Sequence, residues 1–191
     1  MGFVEVFLIG VGLSMDAFAV SICKGLSMRQ KDAGKSILIA VFFGFFQALM
    51  PLIGWLLGSS FEKYITAVDH WIVFALLFLL GAKMIVESLK KDADSCPAEP
   101  QKSGPAEIKQ LFLLAIATSI DALAVGITFA FLKVKILPSC LIIGTTTLII
   151  SFMGVCLGSK FGSRFKSKAE FAGGILLIAL GIKIIIEHIG I

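Results

Sequence analysis

The chain has 191 residues, 58% of them hydrophobic and 16% charged, with a formal net charge of +4. A soluble domain is typically about 45–50% apolar and about 25% charged. A chain this short has too little interior to hide the excess from water, so lipid is the better solvent. The basic residues stand in short clusters between apolar runs, which suits membrane-flanking loops and leaves no stripe for nucleic acid.

A membrane-spanning helix needs roughly 20 mostly apolar residues. The first such stretch covers residues 3–23. It has no basic segment ahead of it, is too long for a cleaved signal and carries Asp16, so it reads as a retained helix. Five more stretches follow at 37–58, 70–89, 109–131, 137–158 and 171–189. All six are long and continuous rather than short and alternating, which excludes strands. The expected fold is therefore all-α, a polytopic membrane protein with six transmembrane helices. Pro51 interrupts the second stretch, where loss of one helical hydrogen bond predicts a kink.

Lys and Arg resist translocation, so the loops that carry them stay in the cytoplasm. Twelve lie after the first, third and fifth stretches: Lys24, Arg29, Lys31 and Lys35; Lys90, Lys91, Lys102 and Lys109; Lys160, Arg164, Lys166 and Lys168. Only Lys63, Lys133 and Lys135 lie on the other side. Both termini are thus expected outside the cytoplasm, in the cell inner (cytoplasmic) membrane. The segment 91–107, with Pro97, Pro100, Gly104 and Pro105 among charges, reads as a cytoplasmic linker between residues 1–90 and 108–191. Cys23, Cys96, Cys140 and Cys156 have no ligand spacing and read as small packing residues.

The two halves repeat each other. Ser14-Met15-Asp16-Ala17-Phe18-Ala19-Val20 matches Ser119-Ile120-Asp121-Ala122-Leu123-Ala124-Val125 at an offset of 105. Gly54, Leu57, Gly58, Ser59 and Phe61 match Gly154, Leu157, Gly158, Ser159 and Phe161 at an offset of 100, as do Gly81, Lys83 and Glu87 with Gly181, Lys183 and Glu187. Three spans per half is an odd number, so the second half enters the membrane upside down. Inverted repeats of this kind hold a transporter's substrate near the midplane, at the repeat interface.

Asp16 and Asp121 stand near the centres of the first and fourth stretches, where an aspartate costs about 2.5–3.5 kcal/mol on insertion scales. One reading is a buried ion pair with Lys83 or Lys183. The functional reading is a cation site across the repeat axis. Gln47 corresponds to Thr147, and Ser14, Thr118 and Ser119 flank the acids, so all can offer oxygen. Carboxylate and neutral oxygens suit hard or borderline divalent cations such as Mn²⁺ and Mg²⁺. Small residues at every fourth position, Ala17, Ser21 and Gly25, and Ala122, Gly126 and Ala130, allow backbones to approach closely. Lys83–Glu87 and Lys183–Glu187 are i, i+4 pairs suited to a structural or gating role. No GxxxxGK[ST] motif is present, so ATP is not the expected direct energy source. Rival readings are export of another metal or small solute, a diaspartyl intramembrane enzyme, and a structural subunit.

The motifs Ser14-Met15-Asp16-Ala17-Phe18-Ala19, Pro51-Leu52-Ile53-Gly54-Trp55 and Ala117-Thr118-Ser119-Ile120-Asp121-Ala122 resemble the small bacterial manganese efflux pump family, in the lysine-exporter-like superfamily. The resemblance covers nearly the whole chain. It implies six spans and export of Mn²⁺ as substrate, with no cofactor, and it makes Asp16 and Asp121 the functional acids. The family position held here by Gln47 can be glutamate, so this chain has either two midplane carboxylates or a third from elsewhere, such as Glu87. The expected mechanism is alternating access, with proton antiport compatible with a carboxylate pair.

Overall fold

The computed structural model describes residues 2–28, 32–61, 69–89, 96, 105–132, 134–161 and 166–189, with the helix path alone at 61, 69, 70, 72, 105, 160, 161 and 187–189. Seven helices run in order: α1 (Phe3–Ser27), α2 (Ala33–Phe61), α3 (Asp69–Ser88), α4 (Pro105–Ala117), α5 (Ile120–Phe131), α6 (Ile136–Phe161) and α7 (Lys166–Ile189). There is no strand among the described residues. Five segments are long and apolar enough to cross a membrane: Phe3–Ser27, Ala33–Ser60, Ala106–Phe131, Ile136–Ser159 and Lys166–Ile186. The 20-residue α3 fills the remaining predicted stretch.

Each helix follows from an apolar run with no backbone polarity left to satisfy, which is what lipid demands. The ends reach past the expected boundaries because Lys and Glu continue a helix well once it leaves the hydrocarbon. Thus α7 starts at Lys166 and α4 at Pro105, inside the expected linker. Proline suits that first position, where its missing N–H costs nothing. Elsewhere the linker is outside the described residues, apart from Cys96.

Large apolar side chains face outward around the molecule, including Phe3, Phe45, Leu79, Leu137 and Ile149. Two apolar clusters lie inside. One gathers Leu13, Leu77, Ala122, Phe129 and Leu177. The other gathers Ala17, Phe43, Ala115 and Val155. α1 contributes Leu13 to the first and Ala17 to the second, and the α4–α5 segment contributes Ala122 and Ala115 likewise. Asp16 and Asp121 therefore sit on the seam between the clusters.

The main packing partners cross the halves: α1 on α6, α2 on α5 and α6, and α3 on α7. The contacts are reciprocal. Gly54 lies against the Leu123 carbonyl and Gly154 against that of Phe18, which is the matching residue. Gly58 lies against the Ile127 carbonyl and Gly158 against that of Ile22, again a matching pair. None of the four has room for a Cβ, so backbones touch directly, as small residues permit in a bilayer. Two polar ties join helix ends on the basic side. Lys35 Nζ pairs with the Glu107 carboxylate at 3.2 Å, and Ser167 Oγ donates to the Ser88 carbonyl at 2.7 Å.

The cysteines correct an expectation. Cys23 and Cys96 are joined by a disulfide, with 5.3 Å between Cα atoms. Their separation of 73 residues gives no sequence signal for the pairing. Cys140 and Cys156 are free, Cys140 buried and Cys156 half-buried.

Candidate functional site

Span 1 is one unbroken helix, whereas span 4 is broken at Thr118–Ser119. At the break the Ser119 N–H bonds back to the Ile116 carbonyl at 3.0 Å, one residue short of α-helical register. The Ala115 carbonyl accepts instead from two hydroxyls, Ser119 Oγ at 2.5 Å and Thr118 Oγ1 at 3.2 Å. Such local side-chain bonds compete with the helix and explain why it yields here. Asp121 then lies in the first turn of α5, and its Oδ1 accepts from the Ala122 N–H at 2.8 Å. A carboxylate is favoured at that position by the exposed N–H groups of the helix start.

The fold brings Asp16 and Asp121 within electrostatic reach of each other. Lys83 acts on both, and Glu87 acts on Asp16. Both aspartates are half-buried. The neutral residues of the expected set are buried: Ser14, Gln47, Ser119 and Thr147 are each 0% exposed and Thr118 8%. Gln47 Nε2 donates to the Leu13 carbonyl at 3.3 Å, which ties α2 to α1 three residues before Asp16. Gln47 Oε1 and Thr147 Oγ1 are buried with no hydrogen-bond partner, as are Ser21 Oγ and Ser151 Oγ. A buried polar atom left unpaired is costly, so these oxygens point to a polar ligand. Ser14 Oγ donates to the Val11 carbonyl at 2.8 Å, which leaves its oxygen free only to accept.

Lys183 does not repeat the role of Lys83. It forms an ion pair with Glu5, which is 15% exposed at the start of α1. Glu5 carries no motif, and only its position at a membrane end beside a basic partner could have drawn notice. The Glu187 side chain lies outside the described residues. Among the described residues no three His, Cys, Asp or Glu side chains converge on one point. A cation held here would need neutral oxygens beside the two carboxylates.

A family model described as "Putative manganese efflux pump" matches residues 30–185. Curated relatives extend the likeness to the whole chain. A protein of Desulfitobacterium hafniense named "Putative manganese efflux pump MntP" is 54% identical, covering 100% of this chain and 97% of its own. Proteins of the same name from Acetivibrio thermocellus and Clostridium botulinum are 51% and 52% identical over 100% of this chain and 94% and 98% of theirs. The chain belongs to this family. Members are named as efflux pumps and not as enzymes, which sets aside the diaspartyl-enzyme reading. The segment carrying Asp16 precedes the match to the family model but is covered by these relatives. No solved structure matches the chain.

Proposed function

We propose that this protein exports Mn²⁺ from the cytoplasm by alternating access across the cell membrane. What supports the reading is that Asp16 and Asp121, one from each half, lie within electrostatic reach of each other, and that Gln47 Oε1 and Thr147 Oγ1 are buried and unpartnered. The family's name supplies the ion. Two carboxylates neutralise one divalent cation, and the all-oxygen donor set suits Mn²⁺ better than a soft metal. The reciprocal glycine contacts support an inverted repeat, with rocking between the halves opening the site to either side. Proton antiport supplies the driving force, since a carboxylate that loses its metal in a low-dielectric site readily takes a proton.

The loop charges put the supply side in the cytoplasm, with both termini outside. Cys23 and Cys96 then lie on the reducing side, where thiols are normally kept free. Both sulfurs are expected to be thiols in the cell.

The test is Mn²⁺ accumulation in cells carrying Asp16→Asn or Asp121→Asn at equal protein level. Each variant is expected to leave intracellular manganese as high as in cells without the protein. If both lower it like the parent, the site is elsewhere. Flux into proteoliposomes, with and without a proton gradient, tests the coupling. Dependence on the gradient is expected, and equal flux without it would remove antiport.

A further inference from the structure

We infer that the cation's shell is completed by main-chain carbonyls, those of Ala117 and Thr118, released where span 4 breaks. The inference rests on the site proposed above and extends it to atoms that no side-chain motif encodes.

In an unbroken helix the N–H groups of Asp121 and Ala122 would bond to the carbonyls of Ala117 and Thr118. Here the Ala122 N–H goes to Asp121 Oδ1 at 2.8 Å. No backbone donor to the Thr118 carbonyl is present among the described residues, and none from outside the helices reaches that of Ala117. Asp121 thus does two things. It brings a charge, and by taking the Ala122 N–H it leaves the Thr118 carbonyl open beside that charge. A main-chain carbonyl left without a donor inside a membrane protein is tolerated where it faces a cavity or a ligand.

The first half shows which way such an oxygen faces. Leu13 holds the place that Thr118 holds in the second half, at the offset of 105. Its carbonyl accepts from Gln47 on α2. In the repeat the Thr118 carbonyl corresponds to that of Leu13 and Thr147 to Gln47, and Thr147 Oγ1 is buried and unpartnered. A second release lies on α2. Pro51 has no N–H, so the carbonyl of Gln47, four residues earlier, also lacks its helical donor.

The count is informative. Asp16 and Asp121 lie within electrostatic reach of each other and Glu87 within reach of Asp16, but no three His, Cys, Asp or Glu side chains converge on one point among the described residues. An octahedral oxygen shell is what Mn²⁺ prefers. One oxygen from each of Asp16 and Asp121, Gln47 Oε1, Thr147 Oγ1 and the two released carbonyls make six. The departure from a family that can carry glutamate at position 47 then needs no third acid.

The experiment uses the full chain in lipid nanodiscs, labelled with [1-¹³C]threonine and loaded with Mn²⁺ alone. Pulsed electron–nuclear double resonance on the bound Mn²⁺ is expected to record a ¹³C coupling. Thr118→Ser keeps a hydroxyl and a main-chain carbonyl but removes the label, so the coupling on the bound Mn²⁺ should vanish. Bound Mn²⁺ with no ¹³C coupling overturns the proposal, and so does a coupling that survives Thr118→Ser. Should that variant fail to fold, [1-¹³C]alanine labelling with Ala117→Gly reads the neighbouring carbonyl by the same criterion. Failure of the underlying site looks different. Mn²⁺ would not bind the parent, or would bind an Asp16→Asn/Asp121→Asn double variant equally well, and the carbonyl assignment would fall with it.

Discussion

Spans 1 and 4 carry the same motif and have different backbones. α1 runs through Asp16 without a break, while the second copy stops at Thr118–Ser119 and restarts with Asp121 in its first turn. The lysines of the third span in each half diverge as well. Lys83 acts on the paired aspartates, and Lys183 is held by Glu5. The residue matching Glu5 is Gln110, so the second half has no acid to offer Lys83 at that place. Sequence symmetry therefore fixes which residues correspond without fixing what they do. The proposed alternating-access cycle would use this difference, because its inner and outer faces must differ at any moment.

The largest expected effect tests the symmetric part. Gly54→Ala and Gly154→Ala each push a methyl group into a facing carbonyl, of Leu123 and of Phe18. Overpacking of this kind typically costs about 1–3 kcal/mol, and both should lower the unfolding temperature in detergent, Gly54→Ala by more because its methyl meets a carbonyl at 2.0 Å against 3.0 Å at Gly154. A contrast sharpens it. Gly81→Ala meets backbone at 2.5 Å and should destabilise, whereas Gly181→Ala meets a flexible Leu77 side chain at 3.3 Å and should be milder. Equal losses at 81 and 181 would contradict the contact geometry.

Next come the two neutral oxygens that break the symmetry. Gln47→Leu and Thr147→Val remove one polar atom set each while keeping bulk. Losing a supporting partner at a metal site typically costs about 10–100-fold in affinity, and each variant should weaken Mn²⁺ binding toward the lower end. Calorimetric titration reads it, and unchanged affinity in both would leave the orphaned oxygens without a ligand role.

A smaller change is expected at the lysines. Glu5→Gln releases Lys183, whose side chain is half-exposed. A pair so open to solvent is worth about 1 kcal/mol at most, so transport rate should move by about fivefold or less. Gln110→Glu offers Lys83 an equivalent acid, and a shift in the opposite direction would tie the two lysines to opposite faces of the cycle. Smallest of all, Cys23→Ser and Cys96→Ser should leave export unchanged. A membrane-impermeant maleimide should label the parent's thiols only after lysis, and labelling in intact cells would reverse the orientation.

Much of the fold was legible because lipid imposes a simple rule. Long apolar runs form helices at all six expected stretches, and the glycines that repeat at an offset of 100 are among those packed against facing carbonyls. Gln47 comes to the Asp16 turn of α1, where its Nε2 donates to the Leu13 carbonyl. The break in span 4 was not legible. Residues 109–131 contain one Gly and no Pro, and the same motif in α1 stays helical, so the difference lies in hydroxyl bonds to Ala115. Glu5 escaped notice because its partner is 178 residues away. The Cys23–Cys96 pairing escaped for the same reason, across 73 residues.

The glycine seams have a consequence for how the protein is made. α1 is synthesised first, yet its close partner α6 begins at Ile136. Until then the helix carrying Asp16 sits in the bilayer without the surface it is shaped for, and without the second acid's half. Biogenesis thus passes through a stage in which a costly aspartate waits among lipids for more than a hundred residues of chain. Insertion and assembly are separate events here. Either half made alone would display bare glycine tracks, and quality-control proteases that survey the membrane for such faces would meet an unfinished molecule.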